Sequence, residues 1–254
     1  MTRLQITKTP KPYVGGAFIR SESGRTFPIR DRRGNFFANI PRCSRKDLRN
    51  AVEAAAKAGP GWAKRTAYNR GQILYRLAEM LEGRRQEMID TRVLFGGTKT
   101  AATKEVDVAV DRLIYYAGWA DKYEQVLGNV NPVAGPYFNF TVTEPVGIVG
   151  VITPDLPPLL PLISLIAPAI VSGNTVVALA SEKVPYPALL LGEMLATSDL
   201  PSGVVNLLTG FREELIPTFA THTHLRAIIA AVESEDQKTL ALGAADSVKR
   251  THFV

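Results

Sequence analysis

Glu144–Val177 reads EPVGIVGVITPDLPPLLPLISLIAPAIVSGNTVV, and the order of its parts decides the fold. Val146–Ile152 is a β-branched run carrying Gly147 and Gly150, the pattern of a buried strand that permits close backbone approach. Pro157 and Pro158 suit a helix start, where proline's missing N–H costs nothing. The apolar run Leu156–Val171 then predicts a buried crossover helix, ended by Gly173 and Asn174 in a left-handed turn. Thr175–Leu179 resumes as a strand. Strand, helix and parallel strand make a βαβ unit, and the loop after its first strand is where a doubly wound sheet holds a ligand.

Toward the N-terminus the pattern turns helical. Ser44 caps a helix over Arg45–Ala58, with Asp47 completing a capping-box pattern and Leu48, Val52 and Ala55 on one face. A second helix is expected over Tyr68–Ile89, with Ile73, Leu77 and Leu81 on one stripe, and Gly96-Gly97 breaks it off. A third spans Ala101–Glu124, its stripe Val106, Val110, Leu113, Ile114 and Ala117 facing inward. Tyr115, Tyr116, Trp119 and Tyr123 could be a stacking platform, but at this spacing they wrap the helix, and packing against the sheet is the expectation. Tyr13–Arg42 reads as short strands and turns. Pro136–Thr143 reads as a strand with Tyr137, Asn139, Thr141 and Thr143 on one face.

No repeat, low-complexity tract or linker-type charge run divides the chain. One α/β unit is therefore expected over residues 1–254. It comprises a mainly helical part (1–128), a β-ribbon (129–145) and a Rossmann-like core with an open parallel sheet (146–254).

At 254 residues and 46% hydrophobic, the chain can bury one large core or two small ones. Its single cysteine, Cys43, excludes a disulfide framework, so nothing argues for secretion. A lone cysteine ahead of a helix is ordinarily a small buried hydrophobe. The N-terminus MTRLQITKTPK lacks an apolar signal core. Leu156–Val171, interrupted by Pro157, Pro158, Pro161 and Pro168, falls short of the roughly 18–20 residues of a membrane span. A soluble, cytoplasmic protein without a membrane partner is the expectation.

The net charge of +6 is unevenly spread: residues 1–125 carry 24 Lys or Arg against 13 acids, and the remainder 6 against 11. A nucleic-acid surface is one reading of the basic half. Arg32-Arg33, Lys64-Arg65 and Arg84-Arg85 are dispersed rather than clustered with aromatics, which favours the outer faces of solvated helices and no nucleic-acid partner. An acidic protein partner is a third reading. His222 and His224 alternate and could face one metal, but no third ligand lies nearby, and histidines ending a helix complement its dipole. No metal is expected. Walker, zinc and serine-hydrolase patterns are lacking.

EPVGIVGVITP, IAPAIVSGNTVV and Leu200–Gly210 (LPSGVVNLLTG), in this order and spacing, resemble the coenzyme-binding domain of the aldehyde dehydrogenases. The likeness extends back through Gly61–Ile89 to Tyr13–Ile19. It implies that NAD or NADP would lie against Ile152, Thr153, Pro154, Glu182, Gly210, Phe211 and Arg212, and that the ribbon over residues 129–145 is a protruding arm that pairs with another subunit.

The same likeness implies losses. Where the family carries Trp-Asn, whose amide serves the oxyanion hole, this chain has Asp155 and Leu156; a lost donor of that kind costs roughly 3–4 kcal/mol in acyl transfer. Lys-Pro-Ala-Glu is here Leu179-Ala180-Ser181-Glu182, keeping only the glutamate. In Thr-Gly-Phe-Gly and the glycine four residues on, Arg212 and Ile216 replace the later glycines, which serve close backbone approach. Thr-Gly-Ser after strand Ala227–Ala231 becomes Ala231-Val232-Glu233, placing a carboxylate near the expected pyrophosphate. Lys249–Val254 matches the strand leading to the family's general base, with Val254 at the glutamate position, and no catalytic domain is expected.

The resemblance is nearest to the degenerate second module of long two-module aldehyde dehydrogenases. It implies a non-catalytic, pseudoenzyme subunit held in a hetero-oligomer with an active aldehyde dehydrogenase through the 129–145 arm, with NAD or NADP bound weakly or not at all. Two alternatives stay open: an NAD(P)-binding half of a split enzyme, and a stand-alone small-molecule or dinucleotide module.

Overall fold

The computed structural model describes residues 8–254; residues 1–7, most of the stretch read for a signal core, lie outside the described residues. In chain order the elements are β1 (Tyr13–Val14), β2 (Ala17–Phe18), β3 (Thr26–Arg30), β4 (Phe36–Pro41) and α1 (Arg45–Ala63). Next come α2 (Ala67–Gly83), α3 (Arg85–Leu94), α4 (Lys99–Trp119), α5 (Tyr123–Leu127), β5 (Asn129–Asn131) and β6 (Asn139–Thr141). The core follows as β7 (Ile148–Ile152), α6 (Leu160–Val171), β8 (Thr175–Leu179), α7 (Tyr186–Leu195), β9 (Val205–Leu208), α8 (Arg212–Thr221), β10 (Leu225–Ala230), α9 (Ser234–Ala245) and β11 (Arg250–Phe253).

A seven-stranded sheet in the order β11-β10-β7-β8-β9-β1-β2 forms the centre. Strands β7 to β11 pair in parallel, as the βαβ reading requires, and β1 adds antiparallel to β9. The strict period of two sorts the side chains. Val149, Val151, Val176 and Ala178 join the core with α6 and α7, while Ile148, Ile152, Val177 and Leu179 join Leu48, Val52, Leu215 and Phe219 on the other face. Both faces are covered, which explains why β7 is apolar throughout and β8 is apolar after Thr175. Gly150 makes room: a Cβ there would stand 2.9 Å from the Phe219 ring. Helices α2, α3 and α4 form an outer layer over α6, burying Leu74, Leu77, Val106 and Leu113.

The Ser44–Asp47 capping box is present as expected, and Gly173, at φ 88°, closes the turn after α6. Other expectations need correction. Helix α1 runs past Ala58 to Ala63 because Trp62 anchors its last turn, donating from Nε1 to the Ile170 carbonyl at 2.8 Å. The helix expected over Tyr68–Ile89 is two, parted at Arg84, and the bend carries Met88 and Ile89 into the core. Helix α4 ends at Trp119; Ile114 lies one position round from the buried Leu113 and is exposed. Tyr115 is exposed as well, and none of the aromatic group packs on the sheet, because α6 stands between α4 and the strands.

Helix α6 begins at Leu160 with Pro161 in its first turn, so Pro157 and Pro158 belong to the preceding loop, where the Leu156–Pro157 peptide is cis. The ribbon supplies its own second strand: Asn129, Val130 and Asn131 pair with Thr141, Phe140 and Asn139. The strand is thus shorter than Pro136–Thr143, and Tyr137, Phe138, Phe140 and Val142 remain exposed. No helix among the described residues is long and apolar enough to cross a membrane.

Candidate functional site

The loops leaving β7, β8 and β9 meet at the C-terminal edge of the sheet, where an open α/β fold places its ligands. Thr153 is fully buried there, its N–H and hydroxyl both donating to the Leu179 carbonyl, at 3.2 and 3.1 Å. Two residues on, Asp155 binds the β8 loop. Its Oδ1 accepts the N–H groups of Glu182 at 3.0 Å and Lys183 at 3.4 Å, and its carbonyl accepts the Ser181 hydroxyl at 2.9 Å. Ser181 Oγ in turn accepts the Val184 N–H at 2.9 Å. The two loops are zipped together.

Arg212 ties in the third loop. It opens α8 directly after Gly210-Phe211, and its backbone N–H donates to Glu182 Oε2 at 2.8 Å. Its Nη2 donates to the Thr153 carbonyl at 2.6 Å and lies 3.1 Å from Asp155 Oδ1. Nε is buried and finds no partner among the described residues. Gly210 must be glycine, because φ is 154° and a Cβ would stand 3.2 Å from Leu215 and 3.3 Å from the Cys43 carbonyl. A helix N-terminus is a natural seat for an anion. Here the protein's own Glu182 occupies it.

Beside this network, the Arg42 guanidinium stacks 4.4 Å over the Phe211 ring, and its Nε donates to Glu214 at 3.0 Å. Arg25 reaches the same carboxylate at 3.2 Å. The hydrogen bond from Arg42, with Arg25 adding its charge, holds the Glu214 carboxyl below the usual range against a smaller opposing cost of desolvation. A separate groove of about 610 Å³, lined by Tyr68, Gly71, Tyr75 and Ile114, runs between α2 and α4, away from this edge.

Ile152, Thr153, Pro154, Glu182, Gly210, Phe211 and Arg212 therefore come together as the sequence implies. Leu156 stands at the rim, 60% exposed. Ile216 does not obstruct the cleft: it is buried in the core beside Leu215 and Phe219. Val232 packs half-buried against the same core, and Glu233 is exposed at the start of α9 without a side-chain capping bond. Asp155 and Ser181, noted in the sequence only as departures, are organising residues. The readable signal was an acid, Asp155, and a base, Arg212, each standing where the family pattern has an uncharged residue, in the loops after β7 and β9. Cys43 is fully buried, and burial pushes its thiol up to about 12. His222 and His224 stack edge to face, with centroids 5.8 Å apart.

Glu182 on the α8 N–H and the Arg212 guanidinium on Thr153 and Asp155 thus fill the space between the three loops with the protein's own side chains.

The sequence matches the aldehyde dehydrogenase family profile over residues 18–253. It is 33% identical to retinal dehydrogenase 2 of Mus musculus over 255 residues, covering 94% of this chain and 49% of that protein. With the mitochondrial aldehyde dehydrogenase family 2 member B4 of Arabidopsis thaliana it shares 34% identity over 248 residues, 95% of this chain and 45% of that one. The NAD+ complex of an aldehyde dehydrogenase from Bacillus cereus superposes with a TM-score of 0.92 at 27% identity, over 97% of this chain and 50% of that one. The chain spans about half the length of the relatives it matches.

Proposed function

This chain belongs to the aldehyde dehydrogenase family, and we propose that it serves as a non-catalytic, pseudoenzyme subunit that partners or scaffolds an active aldehyde dehydrogenase. The observation that carries this reading is the Arg212 guanidinium, bound to Thr153 and Asp155 where a coenzyme would need open space. Leu156 supports it, because its side chain offers no N–H to a developing oxyanion. NAD and NADP are expected to bind no tighter than millimolar, or about −4 kcal/mol. The 129–145 ribbon is the proposed contact with the partner. It carries no charged side chain between Asn129 and Thr143, and a partner strand on its open edge would gain main-chain hydrogen bonds.

Two measurements test the proposal. Calorimetric titration with NAD or NADP should show no micromolar binding, and co-expression with a full-length aldehyde dehydrogenase should give co-elution that Phe140→Pro abolishes. A chain that ignores the active enzyme and elutes as a soluble monomer removes the subunit reading. Gly210, Phe211 and Glu182, retained from the family pattern, favour a second reading, the NAD(P)-binding half of a split enzyme whose cysteine and glutamate come from another chain. Micromolar NAD binding would select it.

A further inference from the structure

We infer that Arg212 is a built-in occupant of the coenzyme cleft, which with Asp155 excludes a dinucleotide, so that releasing it admits one. The inference rests on the family reading above and adds to it a specific determinant. Arg212 is no ordinary surface arginine: its side chain and that of Asp155 are each 19% exposed, whereas Lys183, which also pairs with Asp155, is 74% exposed. Its guanidinium crosses from the loop after β9 to Thr153 and Asp155 in the loop after β7, and Asp155 carries the link on to the Glu182 N–H after β8. Ile216 is in the core, and Glu233 is out in solvent.

Arg212 cannot simply swing aside and become a phosphate ligand. Its departure would leave Asp155 with only the exposed Lys183, 3.6 Å away, as a charge partner facing the incoming diphosphate. Like charges in a partly buried cleft repel strongly. Moving the guanidinium also forfeits its bond to the Thr153 carbonyl. The closure is therefore a unit, with arginine and aspartate excluding the ligand together.

The test uses the whole purified chain, titrated with NAD+ and with NADP+. Arg212→Gly/Asp155→Asn removes both charges and keeps the asparagine oxygen for the N–H groups of Glu182 and Lys183. It is expected to bind dinucleotide about ten- to a hundredfold more tightly than wild type, the equivalent of one charge-assisted hydrogen bond no longer to be broken. Asp155→Asn alone is conservative enough to fold and should give part of that gain. Lys183→Ala, which removes only the exposed pair, should give none. Thermal melts establish that each variant is folded. If the folded variants bind no tighter than wild type, the inference falls and the pseudoenzyme reading stands; should the double variant not fold, Asp155→Asn decides. Micromolar binding by the wild-type chain sinks the pseudoenzyme reading itself, a result the titration separates from the first.

Discussion

Arg92 and Glu105 form an ion pair sealed within the helical layer: Nε donates to Oε2 at 2.7 Å, and the side chains are 7% and 6% exposed. The other oxygen of Glu105 accepts the Leu159 N–H at 2.8 Å and the Leu160 N–H at 3.3 Å, so one carboxylate both neutralises Arg92 and caps α6. Removing one partner of such a pair strands the other charge, at a cost of about 3–5 kcal/mol. Arg92→Ala should lower the unfolding free energy by that amount, read as a lower urea midpoint at unchanged slope. Glu105→Ala, which also uncaps α6, should be worse. A loss well under 1 kcal/mol for either would show that water reaches the pair.

Val248 stands in the left-handed region, at φ 52°, while 90% exposed. Its N–H bonds the Ala245 carbonyl and the Lys249 N–H bonds that of Ala244, the same closure that Gly173 and Asn174 make after α6. A β-branched residue is strained there, and glycine is not. Val248→Gly is expected to raise stability by about 1 kcal/mol, read from thermal melts. Gly173→Val should do the reverse, and more strongly, because a Cβ at Gly173 meets Pro145 at 2.8 Å.

Cys43 should be inert in the native protein. Burial raises its thiol to about 12, so almost no thiolate exists near neutrality. An aromatic disulfide reagent at pH 8 is expected to react only as fast as the chain unfolds, and rapid stoichiometric release of its chromophore would contradict the buried placement.

His222 gives stability a sign with pH. Burial first, then the charges of His224 and Lys249, lower its pKa from the ordinary 6.5, against a smaller pull from Glu53. As pH falls below 6.5 the unfolded chain takes a proton that the folded chain refuses, so stability drops, and on raising the pH it recovers up to the unfolded value. His222→Gln should flatten that slope in urea titrations between pH 5 and 7. An unchanged slope would mean that His222 stays solvated.

Much of the fold was legible because it depends on neighbours in sequence. Ser44 and Asp47 cap a helix within one turn, and the β-branched run before Thr153 declares a strand by composition alone. What escaped was distant. Asp155, Glu182 and Arg212 lie 27 and 30 residues apart along the chain, in three loops whose proximity only the finished sheet creates. The resemblance marked each of them as a departure, but not that the departures bond to one another. Ile216 escaped for a different reason: its side chain follows the buried phase of α8, so the lost glycine fills core and leaves the cleft alone. Ile114 shows the limit of a stripe drawn too wide, where a single step round the helix from Leu113 moves a residue from core to solvent.

The pairing of β1 with β9 joins residues far apart along the chain. Tyr13 pairs with Leu207, and the Gly15 N–H donates to Asn206 Oδ1 at 2.8 Å across 191 residues. Strands β7, β8 and β9 can find one another through short crossovers, whereas β1 waits for β9 to exist. Closing so long a loop forfeits entropy before any contact returns it, and such high-separation pairings slow folding. On the ribosome, β1 leaves the tunnel long before β9 and is thus among the last strands to be docked, and until then the β9 edge stands open to any passing strand.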